Sequence, residues 1–356
     1  MTTKAAEDLF RRGSSERAVP PSVDHESNPS TREFRNRRAV AGVRMRLPPG
    51  LDRLVNRRGP QLNRFQKVLD GIDRTMLGLE IGPAHRPAAP KREGWRVLTV
   101  DHTDREGLLR KYAAHRHIDT TLIEEIDIVW TGGPLDEVVV AHGHARGAFD
   151  YVIASHVAEH SPDLVGFLGS CLALLRPGGV LSLVLPDKRW CFDLLKPLST
   201  TGDALLAHRQ RRTRHSPLTA FTHASLSIKS AQGAGHWDAH SVREVCRGAH
   251  FTQPLQQAFR VFQTYQDEPA AAYVDYHAWY FTPASFELMI AELGALGCLS
   301  ARVRRRHQPA GCEFYVQLEP ISGPGQPLSD QERLRLHGRI AREMCEAWRG
   351  VARALG

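Results

Sequence analysis

The 356-residue chain has no apolar run approaching the roughly 18 to 20 residues of a membrane-spanning helix. An apolar leader is also missing. The start, MTTKAAEDLFRRGSSERAV, mixes both charge signs, so neither a secretory signal nor an organellar presequence is expected, and the chain reads as cytoplasmic. Six cysteines, at 171, 191, 246, 298, 312 and 345, form no CxxC pair, which argues against a zinc ribbon or redox motif and for free thiols. Internal repeats, a P-loop and the G-x-G-x-x-G loop of dinucleotide-binding folds are all absent.

What is present is the composition of a globular protein, 42% hydrophobic and 24% charged, in a chain long enough to bury a sizeable core. The net charge of +8 comes from 47 basic and 39 acidic residues, and the first 60 positions hold 13 of the former against 7 of the latter, a surplus of 6. The excess therefore sits in one segment. No helical basic face with interleaved aromatics accompanies it, which argues against nucleic acid as the partner.

Residues 1–48, rich in Ser, Pro, Arg and Glu and without periodicity, are expected to form a disordered basic arm. Residues 49–75 read as a helical lead-in, with Leu51, Leu54, Val55, Leu62, Phe65, Val68 and Leu69 at helical intervals broken near Gly59-Pro60. Between 76 and 187, short apolar strands alternate with helix-length stretches, the pattern of a doubly wound α/β fold with a mostly parallel sheet. The expected strands are LGLEI (77–81), WRVLTV (95–100), IDIVW (126–130), FDYVIAS (149–155) and GVLSLVL (179–185). Ser161 is expected to cap the helix before the last of these, with Pro162 and Asp163 in its first turn and RPGG (176–179) as its stop. Residues 188–281 break the rhythm as an insertion. Residues 282–320 resume it with a helix capped by Thr282 and two strands joined at QPAG, bringing the sheet to seven strands with one antiparallel. Residues 321–356 end in an amphipathic helix with a Ser329 to Glu332 capping box, packed on the core or at a dimer contact.

In doubly wound folds ligands sit at the carboxyl ends of the strands. The first strand ends in Glu80-Ile81-Gly82, where a glycine lets backbone approach a ligand. The second ends at Asp101, 21 positions beyond Glu80, the spacing of an acidic residue that accepts from ribose hydroxyls. GPAHRP puts prolines where a pyrophosphate needs N–H donors, so the expected ligand is a nucleoside without phosphates.

LEIGP, VDH, FDYVIASHVAEH and LLRPGGVLSLVLPDKR resemble, in order and spacing, the motifs of class I S-adenosylmethionine-dependent methyltransferases, in particular a bacterial group with EIGP as first motif and PDKR after the fifth strand. YHAWYFTPASF and GCEFYVQLE resemble that group's closing segments more weakly. The resemblance implies a seven-stranded Rossmann-like methyltransferase fold and S-adenosyl-L-methionine as cofactor, held by Glu80, Gly82, Pro83, Asp101, His102, Ser155 and His156. Asp127 to Gly133 would flank the adenine, although WTGG stands where an acidic contact is common. The implied activity is methyl transfer to an oxygen or nitrogen of a small-molecule or glycan-like acceptor. The alternative is a scaffold that keeps the fold without catalysis. ASHVAEH lacks the N/D/S-P-P-Y/F/W pattern of base amino methylation.

His156 and His160, with Glu159 between them, suit general-base work. The same three residues are the set a metal would use there, but the expectation is that no metal is bound. Asp187, Lys188 and Arg189 follow the fifth strand and either meet an anionic acceptor at the rim or brace the insertion. HWDAH, if a strand, would turn His236, Asp238 and His240 to one face, and His277 lies in the aromatic YVDYHAWY; both are candidate acceptor contacts.

Overall fold

The computed structural model describes residues 62–116, 118–266, 273–323 and 327–355. The basic arm and the first part of the lead-in, including Leu51, Leu54 and Val55, lie outside them. Helix α1 (Arg64–Val68) opens the described part, started by a capping box in which Asn63 and Gln66 satisfy each other's backbone N–H groups. Strands β1 (Leu77–Ile81), β2 (Arg96–Asp101), β3 (Ile128–Val129), β4 (Phe149–Ser155) and β5 (Leu175–Pro186) follow, with helices α2 (Arg105–Tyr112), α3 (Leu135–Ala141) and α4 (Leu164–Leu174) between them. Residues 188–281 contribute α5 (Thr201–Arg209), α6 (Pro217–Leu226), α7 (Val242–Arg247), α8 (Leu255–Thr264) and a small hairpin, β6 (Ile228–Lys229) with β7 (His250–Phe251). The chain closes with α9 (Pro283–Ala295), β8 (Ala301–Ala310), β9 (Glu313–Pro320) and α10 (Asp330–Leu355).

Seven strands form one sheet in the order β3-β2-β1-β4-β5-β9-β8. The first five are parallel, and β9 runs antiparallel beside β5, so the fold is the doubly wound, mostly parallel sheet expected. Four of the expected boundaries move, the first being the QPAG joint, most of which lies inside β8. β3 shrinks to two residues. RPGG lies inside β5, where the pairing jumps from Phe149↔Leu175 to Tyr151↔Val180, and Gly178 takes up the bulge at φ +79°. Asp163, not Ser161, caps α4 by accepting from Gly166 N at 2.9 Å, because a three-residue turn at Ala158–His160 delays the helix.

Central strands buried on both faces explain their nearly unbroken apolar runs. Leu79, Ile81, Val152 and Ala154 face one layer with Leu168, Phe286 and Ile290. Tyr151 and Ile153 face the other with Val68, Ala88, Ala89 and Tyr315. The Tyr151 ring fills the space above Gly78, its partner on β1: a Cβ there would stand 1.9 Å from Tyr151 Cζ. The ring is fully buried, and among the described residues its hydroxyl finds no hydrogen-bond partner. Tyr151→Phe is therefore expected to raise stability by about 1 kcal/mol, read as a higher urea midpoint with unchanged slope; a lower midpoint would show that the hydroxyl is satisfied.

A third cluster joins the insertion to the C-terminal helix through Trp190, Leu194, Trp237, Val242, Ala347 and Val351. Helix α10 packs on α7 and α9. Among the described residues no helix is long and apolar enough to cross a membrane.

Candidate cofactor and acceptor site

The chain steps outward from β1 through β2 to β3, then crosses back to β4, so a crevice opens between the carboxyl ends of β1 and β4. Two non-glycine residues with left-handed backbone flank it, Ala84 (φ +47°) after β1 and His156 (φ +55°) after β4. Conformations of this kind cost about 1–3 kcal/mol each and cluster at ligand clamps. Gly82 is left-handed too (φ +65°), and a Cβ on it would come within 3.0 Å of Val157 Cγ2 from the loop across the crevice.

Glu80 does not reach toward the crevice. Strand alternation turns its side chain, fully buried, to the Tyr151 face, where Oε1 accepts from Ala88 N (2.6 Å) and Oε2 from Ala89 N (3.0 Å). The carboxylate thus fastens the far end of the GPAHRP loop. Burial raises its pKa to about 7 against the pull of those two N–H groups.

Asp101 ends β2 at the crevice. Its Oδ1 accepts from His102 N (2.8 Å) and pairs with His102 Nδ1 (2.5 Å); its Oδ2 accepts from Ala84 N (3.3 Å), tying the β1 loop to the end of β2. Pro83 stands between Gly82 and Ala84 in that loop, and the His102 ring is exposed. Asp127 turns away to Lys91 Nζ (2.5 Å) and Thr99 N (2.7 Å). Trp130, held by its N–H on Asp101 O, stacks on Phe167, while Thr131 to Gly133 are exposed.

Across the crevice Ser155 Oγ accepts from Arg64 Nη2 (2.7 Å), and Arg64 Nε also donates to Glu313 (3.0 Å). His156 lies between two carboxylates, Nδ1 to Glu159 Oε1 (3.1 Å) and Nε2 to Glu313 Oε1 (2.8 Å). Burial works against its charge, but those two bonds outweigh it and raise its pKa to about 9. Arg64 and Glu313 were not singled out in the sequence: one sits in the lead-in and the other in a closing strand, and only the sheet brings them to the end of β4.

The acceptor side is built where the insertion returns to the core. Ala278 N and Trp279 N donate to Glu159 O, and Trp279 Nε1 to Ser161 O (2.6 Å), which lays 277–280 along the turn after β4. His277 then meets His160 with ring centroids 4.6 Å apart, and Asp275 accepts from His160 Nδ1 at 2.8 Å. Behind His277 lies buried Asp193, shared with Lys196 Nζ (2.5 Å). His215, His223, Tyr273 and Tyr276 surround this group, and burial lowers the pKa of His215 to about 4 and of His223 to about 3.

In this region one of two open alternatives is decided and one expectation is overturned. Asp187, Lys188 and Arg189 are not at a rim but buried: Arg189 makes a forked pair with Asp187 (2.8 and 2.6 Å) and reaches Glu346 on α10, while Lys188 Nζ donates to Leu194 O. They brace the insertion against the C-terminal helix. HWDAH is a turn and not a strand, because the Asp238 carboxylate caps it, accepting from His240 N and Ser241 N; His236, Asp238 and His240 are exposed and Trp237 alone points inward.

The fold is a Rossmann-like doubly wound sheet with a crevice at its switch point. More closely, the chain belongs to the methyltransferase-domain family, whose model matches residues 46–253, in agreement with the resemblance of its motifs to class I S-adenosylmethionine-dependent methyltransferases. It is also similar to the ubiquinone biosynthesis O-methyltransferase of Bradyrhizobium sp. (strain ORS 278), 42% identical over 45 residues, which are 13% of this chain and 18% of that protein. The human mitochondrial ubiquinone biosynthesis O-methyltransferase is 32% identical over 97 residues, 27% of this chain and 24% of that one. The chain thus spans a quarter or less of the length of these relatives. Among solved structures, the CcbJ methyltransferase from Streptomyces caelestis matches at 14% identity and TM-score 0.35, over 73% of this chain and 97% of that one.

Proposed function

We propose that this protein transfers the methyl group of S-adenosyl-L-methionine to an oxygen atom of a small-molecule acceptor. The observation that carries the reading is the crevice at the β1/β4 switch point, clamped by left-handed Gly82 and Ala84 on one side and left-handed His156 on the other, with Asp101 at its end. These residues fit a nucleoside with no phosphate: Pro83 and Pro87 offer no N–H, and a carboxylate ending β2 suits a ribose diol. When bound, the cofactor supplies a methyl group on a positively charged sulfur.

The chain's own residues orient and enclose. Gly82, Pro83 and Ala84 provide backbone at close approach; Asp101, with His102 beside it, accepts from hydroxyls; Ser155 and His156 close the far wall. Both nitrogens of His156 are engaged by carboxylates, so its role in this reading is positioning and charge, and the acceptor side falls to His160 and His277. The oxygen acceptor draws support from the curated relatives, which carry O-methyltransferase in their names.

Calorimetry on the full chain is expected to show binding of S-adenosylmethionine and S-adenosylhomocysteine, weakened about 100-fold in Asp101→Ala through loss of two charge-assisted hydrogen bonds. No heat with either ligand would sink the reading. Labelled S-adenosylmethionine with a fractionated cell extract then identifies the acceptor by the fraction that takes up the methyl group.

A further inference from the structure

Glu159, His160 and His277 each offer a ligand atom, and these atoms all lie within 4.8 Å of one another. Glu159 is fully buried; Oε1 is engaged by His156, and among the described residues Oε2 has no hydrogen-bond partner. Both histidines have Nδ1 occupied by a carboxylate, His160 by Asp275 (2.8 Å) and His277 by Asp193 (2.7 Å), which leaves each Nε2 without a hydrogen-bond partner among the described residues. His160 Nε2 stands 4.0 Å from Glu159 Oε1. A carboxylate behind the far nitrogen of each imidazole is the arrangement that fixes the tautomer and orientation of a metal-binding histidine.

We infer that Glu159, His160 and His277 bind one divalent transition-metal ion. Two imidazoles and a carboxylate suit Zn²⁺, Co²⁺, Ni²⁺ or Fe²⁺ better than Mg²⁺ or Ca²⁺, which prefer all-oxygen shells. Around such an ion, at about 2.1 Å from each ligand, neighbouring donors stand about 3.4 Å apart, so the widest of these spacings, up to 4.8 Å, would close by up to about 1.4 Å. His160, the one of the three that is only partly buried, is the residue that would shift. The sequence places His156 with Glu159 and His160 as a metal set; His156 is excluded because Glu159 and Glu313 occupy both its nitrogens, and His277 takes its place. Three protein ligands leave coordination positions open, as in catalytic rather than structural sites. Resting on the methyl-transfer reading, those positions would receive oxygen atoms of the acceptor, which makes the acceptor class one with oxygen donors able to chelate.

The test is a Co²⁺ titration of chelator-stripped, tag-free full-length protein at neutral pH, followed by visible ligand-field absorption. One equivalent should bind, Zn²⁺ should displace it, and excess Mg²⁺ should not. His160→Gln, His277→Gln and Glu159→Gln should abolish the band; Asp275→Asn should weaken binding about 10- to 100-fold; His337→Gln, an exposed histidine on α10, should bind as wild type. No stoichiometric band from the wild type, or a band that survives in folded His160→Gln, overturns the inference. S-adenosylhomocysteine heat measured on the same preparation separates the two claims: heat without cobalt binding removes the metal site and leaves methyl transfer standing, and cobalt binding without heat does the reverse.

Discussion

Asp193→Ala is expected to destabilise the protein by about 3–5 kcal/mol, the cost of leaving a buried charge without its partner. Asp193 and Lys196 are both buried, with Nζ–Oδ1 at 2.5 Å, and the second carboxylate oxygen takes Nδ1 of His277 at 2.7 Å. Burial works against the ionised carboxylate, yet His277 and Lys196 outweigh it and hold the Asp193 pKa far below the usual range. Lys196 in turn is buried over the rings of Phe192 and Tyr280, with His223 Nδ1 3.4 Å from its ammonium. Removing the aspartate strands the ammonium there. Urea unfolding should show the loss, and a second change, Lys196→Met, should recover most of it because an apolar side chain of similar length needs no counter-charge. A loss below about 1 kcal/mol would mean the pair is solvated.

The second large effect is a pH dependence owed to Glu80. Its pKa stands at about 7 in the fold against a usual 4.5, because burial penalises the charged form more than the two loop N–H groups reward it. Between those values the unfolded chain has released a proton that the native protein keeps, so raising the pH draws the equilibrium toward unfolding. The stabilisation from the protonated group is complete below about 4.5 and gone above about 7, a difference of about 3 kcal/mol. Glu80→Gln cannot titrate. Unfolding free energies of wild type minus variant should therefore fall by that amount across the interval and level off above it. A difference that stays flat would show that Glu80 is ionised throughout.

The sheet was legible because its signals are local. Strands flanked by Gly, Pro and Asp, buried on both faces, read as short apolar runs whatever surrounds them, and Thr282 caps α9 as expected, with Ser285 completing the box. What failed was also local in cause. HWDAH alternates like a strand, but an aspartate two residues before a backbone N–H closes a turn instead. For Asp187, Lys188 and Arg189 the sequence left a rim contact and a brace both open; the forked Asp187–Arg189 pair, the Leu194 carbonyl on Lys188 and Glu346 of α10 on Arg189 decide for the brace.

The sequence by itself determined that residues 76–187 build a parallel α/β layer and that Gly82, Asp101 and His156 fall at the ends of β1, β2 and β4, since strand termini follow from where apolar runs stop. Tertiary structure alone decided what those ends face. It turned Glu80 away from the crevice into its own loop, brought Arg64 and Glu313 from opposite ends of the described chain onto Ser155 and His156, and set His277 against His160. Pairings of that kind depend on sheet order and on the path of an insertion, and neither leaves a periodicity in the chain for a sequence to display.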